Sequence, residues 1–281
     1  MTVGHSPSVG LVITWVLERD VFGDHHDGLA AAVSLASGRV VVWHDQWWAD
    51  GRWPRLEGSV IFHGSLGNAD RIGRELPWTP GAFCSTERCA CSSWWPQVAA
   101  DLLSPSFVFT TVAELVASGP PLDFGARVFV RPDSPLKPFS GRVVARDAIS
   151  LRALDHGFYY DDEQLPVVVA PAVAVTHEWR FVVVDGSVVA GSDYTPTGRL
   201  AGASLSPGHR AWAYAADLAS RVPAPDPAYV LDVCQSEAGL RLLELNPFSG
   251  ADLYGCDRRA IVEAVQDRKS TRLNSSHRLL S

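Results

Sequence analysis

The chain has no uninterrupted run of about 18 apolar residues, so no helix long enough to span a bilayer is expected. Basic charge is not in excess either. Lys and Arg number 24 against 31 Asp and Glu, a net charge of −7, which argues against broad attraction to nucleic acid or anionic membrane. A local basic pocket for phosphates remains compatible with that balance. The N-terminus lacks a basic stretch leading into a continuous apolar segment, because Glu18, Arg19 and Asp20 interrupt it, and no export signal is expected. Cysteine is scarce and odd in number: Cys84, Cys89 and Cys91 cluster, while Cys234 and Cys256 stand apart. The cluster has no second Cys or His pair at zinc spacing, and a reduced, cytoplasmic setting is expected. Internal repeats and low-complexity tracts are missing too.

What is present has the texture of a globular protein, with 47% hydrophobic and 20% charged residues over 281 positions. Residues 1–105 read as a small α/β domain. Leu11–Leu17 is an apolar strand, Asp27–Ser37 an alanine-rich helix stopped by Gly38, and Arg39–His44 and Ser59–His63 are further strands. His25-His26-Asp27 reads as a helix start with Asp27 as its N-cap, in preference to a metal site. Trp43, Trp47, Trp48 and Trp53 are expected to pack in a core or interface before lining a substrate cleft. Residues 77–106, with paired Trp94–Trp95, read as irregular apart from a short helix at Gln97–Leu103.

From residue 106 to 268 the signal is dense in β-strand. Strands are predicted at Ala126–Arg131, Arg142–Arg146, Pro166–Val169, Glu178–Asp185, Ser187–Asp193, Tyr229–Gln235 and Arg241–Leu245, with helices at Pro207–Ser220 and Asp257–Val265. Asp185–Gly186 between apolar runs marks a tight hairpin. The fold class is α+β. The polar, aperiodic residues 269–281 look like a non-native or disordered tail.

The chemistry concentrates in the last two strands. Asp232 interrupts one apolar run, and Glu244 and Asn246 interrupt the next, with a Gly-containing hairpin loop at Ser236–Gly239 between them. Paired antiparallel, the strands bring Asp232 near Glu244, and alternation puts Asn246 on the same face. Two carboxylates and an amide oxygen repel one another unless a cation joins them, and hard oxygens suit Mg²⁺. By spacing alone a solvated polar stripe explains these residues equally well. Three upstream cations alter the balance. Arg131 ends an apolar strand, Lys137 follows in a loop with Gly141, and Arg180 stands inside an apolar strand where a charge needs a partner. Cations for phosphates beside carboxylates for their metal are what a nucleoside triphosphate requires.

Over residues 107–267 the chain resembles the ATP-grasp superfamily. The pieces stand in the family's order: Phe129-Val130-Arg131-Pro132, Lys137 with Phe139-Ser140-Gly141, Glu178-Trp179-Arg180, Asp185-Gly186, Asp232, and Glu244-Leu245-Asn246-Pro247. The closer likeness is to an uncharacterised bacterial and phage branch in which an Arg-Pro dipeptide and a downstream Lys-x-Phe-x-Gly recur. The resemblance implies an ATP-grasp fold whose two α+β lobes clamp ATP, preceded by the small α/β domain. It implies Mg²⁺ on Asp232, Glu244 and Asn246, phosphates on Arg131, Lys137 and Arg180, and the nucleotide base against Val169, Ala170 and Val173. Lys137 and Arg180 would be the catalytic side chains. The implied reaction is ATP-dependent ligation of a carboxylate to an amine or thiol through an acylphosphate, on a peptide or small molecule. The alternative is a nucleotide-binding module or sensor without ligase activity.

Three departures stand out. Arg131 replaces the family's usual first nucleotide-binding Lys, the phosphate loop has only Gly141, and the hinge 167–173 has no acidic residue for the ribose, leaving His177 or Glu178 to serve. Outside the lobes, His63 and the Asp193-Tyr194 pair are candidates to face the same cleft.

Overall fold

The computed structural model describes residues 12–22, 25–154, 162–194 and 202–278, with His25 and residues 269–278 described by backbone course alone. The first sheet is parallel. Strands β1 (Thr14–Leu17), β2 (Arg39–Val42), β3 (Ser59–His63) and β4 (Thr79–Gly81) lie in the order β2-β1-β3-β4. The connection from β1 to β2 is the helix His25–Leu35, which places Asp27 in its first turn and not at the cap. A carboxylate there still faces the positive end of the helix. Residue 11, where the first strand was expected to begin, lies outside the described residues. β4 was not foreseen, since Thr-Pro-Gly carries no strand signal.

The alternation of β1 and β3 splits the sheet's two faces. Val16, Val60 and Phe62 pack with Trp43, Ile72 and Trp78, so Trp43 is a core residue; Trp47, Trp48 and Trp53 are half-buried against it. Trp15, Leu17 and Ile61 face the other way, onto the C-terminal sheet and the helix that begins at Arg258.

Two antiparallel sheets follow. One is made by β5 (Val108–Thr111), β6 (Arg127–Pro132), β7 (Arg142–Ala145) and β8 (Pro166–Pro171), in the order β5-β8-β6-β7. Its inner face, Val128, Val130, Val167 and Val169, packs on Val112, Leu115, Phe124, Phe139 and Leu154. The other is made by β9 (His177–Val184), β10 (Ser187–Tyr194), β11 (Ala228–Ser236) and β12 (Gly239–Pro247), in the order β10-β9-β11-β12. The β9–β10 turn sits at Asp185 (φ 45°) and Gly186 (φ 79°), two left-handed residues in succession, as the sequence pair predicts. Trp179, Phe181, Val183, Leu231 and Val233 cover the helix Arg210–Arg221. Val182, Val184 and Val230 cover the N-terminal sheet.

Other segments depart from the sequence reading, among them the strand Val108–Thr111 and the helices Leu66–Glu75 and Val112–Ser118, which carried no prediction. Where a helix was expected at Gln97–Leu103 there are 3₁₀ turns at Trp95–Gln97 and Ala99–Asp101, because Val98 and Leu102 are buried beneath β11 and β12 at a spacing that tertiary packing dictates. Residues 91–102, assigned to the N-terminal unit, pack on the C-terminal sheet through Cys91, Trp94 and Trp95. The last helix runs on from Arg258 to Arg278, so the backbone of residues 269–278 is helical where a tail was expected; residues 279–281 lie outside the described ones. Among the described residues no helix is long and apolar enough to cross a membrane.

Candidate functional site

Register builds the site. Across the C-terminal sheet, Ser192, Arg180, Asp232 and Glu244 are successive cross-strand partners on β10, β9, β11 and β12. They continue the face that further along carries Val182 and Val230 into the core. The apolar residues bury the row, and the row supplies the only compensation open to it, which is mutual pairing. Arg180 donates through Nε to Asp232 Oδ1 (2.9 Å), through Nη2 to Oδ2 (2.7 Å) and through Nη1 to the Asp252 carbonyl (2.7 Å). Its guanidinium also lies over Tyr254, 4.7 Å from the ring centroid, and Tyr254 stacks on Tyr194. Asn246 donates from Nδ2 to Asp232 Oδ2 (3.1 Å). Burial would depress the Arg180 guanidinium; the adjoining Asp232 carboxylate outweighs it and raises its pKa.

The first antiparallel sheet delivers the other charges. Val128 and Val130 point into its core, so Phe129 and Arg131 point across to β12. Arg131 Nη2 and Lys137 Nζ both lie 2.8 Å from Glu244 Oε1, and Lys137 Nζ also donates to Asn246 Oδ1 at 3.1 Å. Burial alone would raise the Glu244 carboxyl; Lys137 and Arg131 outweigh it and hold it well below the usual carboxylate range. Gly141 lets the loop lie flat on β6, because a Cβ there would stand 2.7 Å from the Phe129 ring and 3.2 Å from Arg131 Cβ.

Between the two sheets runs a cleft of ≈ 380 Å³. Arg131, Lys137, Glu178 and Glu244 line its charged part, and Phe129, Ala170, Val173 and Leu243 are among its apolar walls. Leu243 reaches the cleft through a bulge: the pairing jumps from Asp232–Glu244 to Val233–Leu242, which leaves Leu243 opposite no residue. Glu178 is pushed up to about 7, first by burial and then by the charges of Asp232 and Glu244.

Most of the predicted residues therefore converge. Val169 is the exception: its side chain is buried in the core of the first sheet, and strand alternation gives the cleft its neighbour Ala170 instead. Arg180, Asp232 and Asn246 lie behind Glu244, buried beside the cleft. Sequence reasoning missed Trp95 and Leu102–Ser104, which close one side of the cleft, with Leu103 donating its backbone N–H to the Leu242 carbonyl (2.9 Å). Only the Trp94–Trp95 pair hinted at them. Asp252 and Tyr254 were missed as well and carried no signal. His63 ends β3 and lines a second, smaller crevice with Glu18, His26 and Arg258. Its Nε2 has no hydrogen-bond partner among the described atoms, and burial followed by the Arg258 charge drives its pKa down to about 3. Asp193 adjoins Tyr194 at the end of β10.

The donor set fits a small divalent cation. Two carboxylates and an amide oxygen adjoin on one sheet face, and the Glu244 and Asn246 oxygens already hold a cation, the Lys137 ammonium.

Two antiparallel lobes gripping a cleft with an acid–base row along one wall define the class as a two-lobed clamp of the ATP-grasp fold. Residues 89–265 match the family described as ATP-grasp domain, R-2-K clade, family 3, and since that is well over half of the chain, the protein belongs to this family. The match begins ahead of the boundary expected near residue 105 and takes in the Trp94–Trp95 segment. No curated protein matches the sequence. Solved structures share the fold. The RimK domain protein ATP-grasp from Sphaerobacter thermophilus DSM 20745 aligns with a TM-score of 0.58 at 14% identity, over 89% of this chain and 98% of that one. The ATP-grasp ligase PsnB, complexed with precursor peptide PsnA2 and AMPPNP, aligns at 0.55 and 12% identity, over 94% and 99%. D-alanine–D-alanine ligase from Bacillus anthracis, complexed with ATP, aligns at 0.57 and 11% identity, over 94% and 100%.

Proposed function

We propose that the protein is an ATP- and Mg²⁺-dependent ligase that joins a carboxylate to an amine or thiol on a peptide or amino acid, working in the cytoplasm. The observation that carries this reading is the buried row Arg180–Asp232–Glu244 with Arg131 and Lys137 brought onto it from the opposite lobe, at the end of an apolar cleft. Phe129, Ala170 and Val173 offer apolar surface to the base, and Glu178 an acceptor for the ribose hydroxyls. Arg131, Lys137 and Arg180 supply the charge that a triphosphate needs, in a partly desolvated site where each is worth more than in water.

Asp232, Glu244 and Asn246 would hold Mg²⁺, which when bound neutralises charge developing on the phosphates. The protein's own groups orient and shield. A substrate carboxylate oxygen attacks the γ-phosphorus, the bond to the bridging oxygen breaks and ADP leaves with that electron pair. The amine or thiol then attacks the acyl carbon, inorganic phosphate departs, and the nucleophile's proton passes to solvent. Leu243 and Trp95 limit water in the cleft during the first step. A ligase bound to a precursor peptide and one named for D-alanine among the structural neighbours support a peptide or amino acid as substrate.

The test is release of ADP and phosphate by purified protein, screened against amino acids and peptides with Mg²⁺ present. Turnover that needs Mg²⁺ and vanishes in Asp232→Asn with Glu244→Gln is expected. Turnover persisting in that double variant, or nucleotide binding indifferent to Mg²⁺, would overturn the assignment.

A further inference from the structure

Lysine is rare in this chain. Of 24 Lys and Arg, only Lys137 and Lys269 are lysines, and one of them stands at the site. Lys137 holds a left-handed backbone (φ 51°) and directs its ammonium to Glu244 Oε1 at 2.8 Å and Asn246 Oδ1 at 3.1 Å. Those atoms belong to two of the three residues assigned above to the divalent cation. A compact ammonium with three donors can fill an oxygen-lined cation position in a way that a planar guanidinium cannot. The side chain is 34% exposed while Glu244 is 14% exposed, so the lysine can leave and the carboxylate stays.

We propose, resting on the nucleotide-binding reading above, that Lys137 is a tethered stand-in cation that bars bare metal from the site and yields it only when nucleotide arrives. In the row and its clasp, Asp232 and Glu244 already face Arg131, Lys137 and Arg180. A bare divalent ion must evict the ammonium without bringing an anion of its own to receive it. A triphosphate reverses the balance: its oxygens take the ammonium, and the Glu244 and Asn246 oxygens are released to the metal. Metal and nucleotide affinities are then coupled, and the coupling is reciprocal.

The test measures Mn²⁺ binding to the whole protein by electron paramagnetic resonance, with and without a non-hydrolysable ATP analogue. Wild type is expected to bind Mn²⁺ weakly alone and far more tightly with the analogue. Lys137→Met should bind Mn²⁺ alone at least about tenfold more tightly, since loss of one charged hydrogen-bonding competitor is worth roughly that factor. Lys137→Arg, which keeps the charge, should show a smaller gain, and adding Glu244→Gln to Lys137→Met should abolish it. The proposal falls if Lys137→Met leaves the affinity for Mn²⁺ alone unchanged, if Lys137→Arg gains as much, or if the gain survives Glu244→Gln. A second readout uses the wild-type chain: with only two lysines, the ¹⁵N-ammonium resonance lost in Lys137→Met belongs to Lys137. It should stay in place with Mg²⁺ alone and shift with Mg²⁺ and analogue together; a shift with Mg²⁺ alone overturns the idea. Wild type that binds the analogue with Mg²⁺ while these arms fail would remove this inference and leave the nucleotide reading intact. Loss of Mg²⁺-dependent nucleotide binding in wild type would remove that reading itself.

Discussion

The two carboxylates of the site are held by cations in different ways. Asp232 is gripped by Arg180 from the neighbouring strand of its own sheet, two hydrogen bonds in a planar fork, with Tyr254 beneath the guanidinium. Glu244 is held from across the cleft, by Arg131 at the end of β6 and Lys137 in the loop beyond. The first pair is a strut inside a single sheet and can be satisfied however the two lobes are disposed. The second is a clasp between lobes, broken by any movement that opens the cleft. A clamp of this kind needs both, one part that keeps the floor rigid and one that can be exchanged for ligand contacts.

The largest effect is expected at the strut. Asp232→Asn leaves the buried Arg180 charge without its partner and should cost about 3–5 kcal/mol of stability in urea denaturation. A loss under about 1 kcal/mol, the range of exposed pairs, would show that the strut is solvated. At the clasp, Glu244→Gln should cost about 1.5–3 kcal/mol, the worth of charged hydrogen bonds. It should also raise hydrogen exchange in residues 132–141 while β9 and β11 stay protected. Equal loss of protection in both places would erase the distinction between strut and clasp.

The two carboxylates Glu244 and Glu178 give stability opposite dependences on pH. The folded pKa of Glu244 is depressed, so its contribution is present above the ordinary value of 4.5 and is lost as pH falls below it towards the folded value. Glu244→Gln should flatten that limb. Glu178 has the opposite sign. Its folded pKa is raised from 4.5 to about 7, so stability declines as pH rises through that window, by about 1 kcal/mol once solvent screening is allowed for. Glu178→Gln should remove that decline, and an unchanged slope would show that the group is freely hydrated. Lys137→Met should have the smallest effect on stability, under about 1 kcal/mol, because the side chain is partly exposed.

Much of this was legible in the chain. Strands β6 to β12 follow from apolar runs of period two and from the Asp185–Gly186 turn, since alternation and left-handed turn residues are local constraints. The same alternation places Glu244 and Asn246 on one face of β12, and Asp232 joins them through the register of the hairpin. Val169, which the resemblance set against the base together with Ala170, faces the core while Ala170 faces the cleft, because which face of β8 meets the cleft depends on where the second sheet lies. The short helices and 3₁₀ turns of residues 86–101 have no period to read, because each is about one turn long, and from Cys91 onward the stretch is placed by burial against β11 and β12.

The order of charged residues along apolar strands is written in the chain, and with it the need for those charges to find partners. A buried charge is too costly to leave unpaired, so Arg180 announced a carboxylate without naming it. Which partner each charge took came from the packing of the lobes. Register set Asp232 opposite Arg180, and the approach of the first lobe gave Glu244 to Arg131 and Lys137. These contacts join residues 52 and 109 positions apart in Arg180–Asp232 and Lys137–Asn246, and no local propensity encodes distances of that kind.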